Sequence, residues 1–161
     1  MSLQRADVHQ HLTRILDAES RLLAELEVLL QEEMTILRRD DVEAIAQIGS
    51  KRQRCVEALT RLDGERADSC RMLSFGQGRG ALTRLYQWSD ASGALNARWL
   101  ANLQIARRCQ QLNDANGAVV TAKLSRVQQL LRVIRGTSAA PVYSARGSRE
   151  GTLGSRDFGR A

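Results

Sequence analysis

The chain has 161 residues, 43% hydrophobic and 26% charged, with a net charge of +6, which suits one domain with a continuous core. Aromatics make up only 4% and Pro141 is the single proline, which argues against a β-sandwich or barrel and permits long helices. No stretch approaches the ~20 consecutive apolar residues of a membrane span, and the N-terminus has charges where a signal peptide needs an apolar run, so a cytoplasmic location is expected.

The first predicted helix runs from about Arg5 to Arg39 without glycine or proline. Leu12, Leu16, Leu23, Leu26, Leu30 and Leu37 form its apolar face, flanked by Val8, Ile15, Leu22, Leu29 and Ile36. Asp40 or Asp41 reads as the turn and the next N-cap, because Asp40 stands three residues before Glu43 as in a capping box. An antiparallel second helix then reaches about Arg71, with Val42, Ile45, Ile48, Cys55, Leu59 and Leu62 inward and Lys51, Arg52, Arg54, Glu57 and Arg61 on a solvated far side.

Between Ser74 and Gly80 a glycine cluster reads as a flexible turn, since no strand precedes it and no Lys-Ser or Lys-Thr follows. A short helix over Ala81–Trp88 offers Leu82, Leu85, Tyr86 and Trp88 to the bundle, and Ser89 to Gly93 breaks it. Asp90 or Ser92 is the predicted cap of a long third helix ending near Arg135-Gly136. Along that helix, positions 99, 103, 106, 110, 113, 117, 120, 124, 127, 131 and 134 alternate steps of four and three. Trp99, Leu103 and Ala106 give way to Gln110, Asn113 and Gly117, after which Val120, Leu124, Val127, Leu131 and Ile134 restore an apolar stripe. Asn113 as a register-fixing seam residue and Gly117 as a point of close helix approach are the structural expectations for the interruption. Leu130 and Val133 broaden the stripe beyond what one neighbouring helix would cover.

The expected fold is therefore all-α: an elongated antiparallel three-helix bundle with coiled-coil-like long helices and a short extra helix in the second connection. Residues 1–136 form the bundle domain in this reading, and 137–161 a disordered tail rich in glycine and arginine, with Val142 and Tyr143 as isolated apolar residues. Residues 1–40 hold five arginines against eight acids, whereas residues 41–135 hold fifteen basic residues against eight acids. Complementary helices within one bundle explain this split as well as an external polyanion does.

No catalytic constellation emerges. His9 and His11, the only histidines, are two residues apart and point to different sides of a helix, so no metal or cofactor is expected. Glu32 and Glu33 stand where helix-surface residues normally do. Cys55, Cys70 and Cys109 lack C-x-x-C spacing and read as buried thiols. Phe75, Tyr86, Trp88 and Trp99 read as core or loop anchors, not as bases for nucleic-acid stacking.

The first two helices carry Leu22-Leu23, Leu26, Leu29-Leu30, Glu33, Leu37, Asp41, Ile45, Ile48, Lys51, Leu59, Leu62 and Arg66 in that order. The third adds Asn113-Asp114-Ala115-Asn116-Gly117, an Asn-x-x-Asn-Gly element, and the tail Val142-Tyr143 with Gly147. Over these residues, from about Val8 to Gly147, the chain resembles the FlgN family of flagellar export chaperones. The resemblance implies a cytosolic, non-enzymatic chaperone that binds the C-terminal helical region of hook-filament junction proteins and delivers them to the export gate. It further implies substrate contact at Val120, Leu124, Val127, Leu131 and Ile134, and docking of Tyr143 on the cytosolic domain of the gate. The alternatives are a structural bundle that forms a homodimer through the same stripe, and a basic nucleic-acid adaptor.

Overall fold

The computed structural model describes residues 4–135. Two compact units divide the chain, Met1–Leu124 and Ser125–Ala161. Among the described residues there are four helices and no strand: α1 (Arg5–Arg39), α2 (Val42–Met72), α3 (Arg79–Ser89) and α4 (Ala94–Ile134). The predicted 137–161 tail, with Tyr143, lies outside the described residues.

Local chemistry sets each boundary. α1 stops because Asp40 adopts a left-handed conformation (φ 58°), a state Asp tolerates better than most residues. Asp41 then caps α2, its carboxylate accepting from the Ala44 N–H at 3.0 Å. Asp40 was the other expected cap, with Glu43 as its reciprocal partner; it serves instead as the last residue of the α1 exit, and Asp41 takes the N-cap alone. α2 closes in a Schellman arrangement, Phe75 N–H donating to the Cys70 carbonyl and Ser74 N–H to that of Arg71, with Ser74 at φ 59°. The glycine cluster is a turn, and Gly76 and Gly78, at φ 89° and 84°, occupy backbone states closed to most side chains. Asp90 holds the start of α4: its carboxylate accepts from the N–H groups of Ser92 and Leu95 and from the Ser92 hydroxyl.

These bonds to the ionised form, first of all the one from Ser92, hold the Asp90 carboxyl down at about 2 from its ordinary 3.8. A depressed folded-state pKa means stability that is present above the unfolded value and lost as pH falls through the folded one. Melting temperature should therefore decline between about pH 4 and about pH 2, and Asp90→Asn should show a shallower decline over that window in a thermal melt series.

In the first unit α1, α2 and α4 pack as a three-helix bundle with α3 across one end. One core cluster joins Val8, Leu12 and Leu16 of α1 to Cys70, to Leu85 and Tyr86 of α3, and to Leu95 and Trp99 of α4. Tyr86 and Trp99 meet as a tilted pair with centroids 5.5 Å apart, and Phe75 and Trp88 form another at 5.7 Å, although Trp88, expected to face the bundle, is exposed. A second cluster holds Leu26, Leu29, Leu30, Ile48, Cys55 and Cys109. The inward face expected for α1 is the one observed. On α2, Val42 was expected inward but is 79% exposed, because the first turn of that helix begins outside the packed seam.

Candidate functional site

The interior of the bundle is tied by polar side chains at a seven-residue interval. Asn102, Cys109, Asn116 and Lys123 of α4 each donate to an α1 backbone carbonyl, those of Leu16, Leu23, Leu30 and Leu37 respectively. The constant offset makes α1 and α4 parallel neighbours held in one register. Three of these donors also reach a carboxylate three residues further along the chain: Asn102 to Glu19 at 2.8 Å, Asn116 to Glu33 at 2.7 Å, and Lys123 to Asp40 at the α1 exit. From the antiparallel α2, Arg66 meets Glu19 and Arg52 meets Glu33, both at 2.9 Å. Two Glu-Arg-Asn layers thus cross all three helices, with the apolar Leu26 and Cys109 between them.

Burial makes these layers specific. Asn116 is only 2% exposed, and Glu33, Arg66 and Asn102 are also buried. A helix displaced by one residue would strand a charge or an amide without a partner, at a cost of several kcal/mol for the charge. Burial opposes the charge on Arg66, but Tyr86, Asp63 and Glu19 outweigh it and raise the guanidinium pKa. Burial raises the Tyr86 hydroxyl to about 12. At the surface Arg98 pairs with Asp17, and Arg108 forks onto Glu27. The acids of α1 therefore meet bases of α2 and α4, as the charge split along the sequence suggested.

Several expectations change with this geometry. Asn113, expected in the seam, is exposed and only accepts from Arg52 at 3.3 Å; the seam amide is Asn116. Gly117 does not serve close approach, since nothing lies within 4 Å of where its Cβ would be. Gln110 likewise faces outward. Arg52, placed on the solvated side of α2, turns in to Glu33, and Glu33 itself, expected on the surface, is buried by that partner and by Asn116.

Burial raises the pKa of all three thiols, which keeps them protonated and poorly nucleophilic. No group of three or more metal-ligating side chains gathers among the described residues. A cavity of about 560 Å³ between α2, the glycine turn, α3 and α4 is lined by Asp63, Arg66, Cys70, Arg79, Leu82 and Trp99 among others.

The apolar stripe of α4 stands in the open. In the first unit, past most of the polar rungs, Val120 and Leu124 are exposed. In the second unit Val127, Leu130, Leu131, Val133 and Ile134 are exposed, from 42% at Leu131 to 78% at Ile134. Single exposed aliphatics are ordinary, whereas here seven fall within fifteen residues of one helix. No helix among the described residues is long and apolar enough to cross a membrane.

Fold and face together define a helical bundle whose last long helix carries a run of exposed aliphatics. The chain belongs to the FlgN family: the family model, described as FlgN protein, matches residues 1–151. That membership implies a flagellar export chaperone role and associates the chain with flagellum assembly. None of the curated proteins and none of the solved structures matches the chain.

Proposed function

We propose that this chain is a cytosolic, non-enzymatic chaperone of type III flagellar export that binds the C-terminal helical region of hook-filament junction proteins. It would shield that region from premature association and hand it to the export gate. The observation that carries this reading is the run of exposed aliphatics from Val120 to Ile134. Val120, Leu124, Val127, Leu131 and Ile134 recur at the spacing of one helix face and would seat an amphipathic helix. Burying an aliphatic side chain stabilises by roughly 1.5–3 kcal/mol, so several anchors offset the association cost of several kcal/mol. Residues 1–136 act here as the chaperone domain, and Tyr143, in the 137–161 tail, is the residue that docks on the cytosolic domain of the gate.

The test is capture of a purified hook-filament junction protein by the full chain, with and without the junction protein's C-terminal helical region. Capture that depends on that region is the expected result, and equal capture without it would refute the reading. A homodimer through the same face is the second reading, favoured by the rarity of bare apolar surface of this size. Analytical ultracentrifugation separates the two, since a tight dimer that substrate does not dissociate supports the homodimer.

A further inference from the structure

The second unit differs from the bundle in its charge as well as its exposure. Between Ser125 and Arg135 it carries Arg126, Arg132 and Arg135 and no acid, and the sequence holds no Asp or Glu between Asp114 and Glu150. At about 100° per residue, Arg126 and Arg135 fall on opposite flanks of the face formed by Val127, Leu131 and Ile134. In the first unit Arg98, Arg108 and Lys123 of α4 meet Asp17, Glu27 and Asp40.

From this charge pattern we infer that the occupant of the face is an amphipathic helix whose apolar stripe is bordered by Asp and Glu. The inference rests on the chaperone reading and specifies the chemistry of its substrate. Acidic borders would give the arginine-flanked face what α1 gives the rest of α4, and would steer encounter as well as fix orientation. Other occupants fit less well. A second copy would set Arg126 and Arg135 against the same two arginines, and residues 136–161 hold four arginines against Glu150 and Asp157. Helices that lie on anionic membranes favour Trp and Phe on the apolar face, and this one presents only Val, Leu and Ile.

The test uses the full chain and two labelled synthetic helical peptides with the same leucine stripe, one bordered by Glu and the other by Lys, read by fluorescence anisotropy. The Glu-bordered peptide should bind at least ~10-fold more tightly at low salt, with the gap closing as salt screens the flanks. Arg126→Glu combined with Arg135→Glu should reverse the preference while leaving the circular dichroism spectrum unchanged. Equal affinity for the two peptides, both lost in Leu131→Asp, would overturn the charge assignment and leave the chaperone face standing. Absence of binding by either peptide to a chain that still captures a junction protein would overturn the acid-bordered helix as occupant and leave the chaperone reading standing. Stronger, arginine-dependent recruitment to phosphatidylserine vesicles than to the Glu-bordered peptide would assign the arginines to a lipid surface and overturn the inference.

Discussion

Replacing Arg66 with methionine should lower the free energy of unfolding by about 3–5 kcal/mol, the range for breaking one partner out of a buried ion pair. Arg66 is the α2 member of the first polar layer, with its side chain 7% exposed against Glu19 at 13%. Without it the Glu19 carboxylate keeps only the Asn102 amide and stays cut off from water. The loss is a desolvation penalty, so removing the stranded charge should reverse much of it. The Glu19→Met, Arg66→Met double variant should be markedly more stable than Arg66→Met alone, and urea titration of the two singles and the double gives the coupling directly. A single-variant loss under about 1 kcal/mol, the range of a surface pair, would mean that the layer is wet.

The second large effect concerns the open face. Val127→Asp with Leu131→Asp should weaken capture of a hook-filament junction protein by at least ~100-fold, since two aliphatic anchors are lost and two carboxylates must be desolvated. Both positions are exposed in the free chain, so the melting temperature and helical circular dichroism should hardly change. Titration calorimetry against the purified junction protein reads the first quantity and a thermal melt the second. Unfolding of the double variant would show that the face is packed in the native state; full binding would send the search for the substrate site elsewhere.

Much of the fold could be read from the sequence because the helix signals are local. The leucine face of α1, the absence of breakers from Arg5 to Arg39, the double aspartate and the glycine turn each act within a few residues. The interior of α4 was harder, and the reason lies at one step. Counting apolar residues from Trp99 leads four positions on to Leu103, whereas the bundle takes three and buries Asn102. An amide enters the core only because Glu19 and the Leu16 carbonyl await it, and that complementarity lies 83 and 86 residues away in sequence. The same slip put Asn113 and Gly117 in place of Asn116, and left Arg52 and Glu33 outside. A signal was nevertheless present: Asn102, Cys109, Asn116 and Lys123 step by seven, as do Glu19, Leu26, Glu33 and Asp40. Beyond the rungs the reading of α4 needed no partner helix, and its aliphatics stand exposed.

The matched sevenfold spacing also bears on how such a chain can change length over evolution. Deleting one residue between Asn102 and Asn116 would bring one amide past its carboxylate while the other stays in place, so single insertions and deletions within the long helices are penalised twice. A length change that keeps both layers in register would have to add or remove one heptad, about 10.5 Å, in all three long helices together. The polar rungs thus rule the long helices in heptads up to Lys123, and a change of length that respects one layer must respect the other.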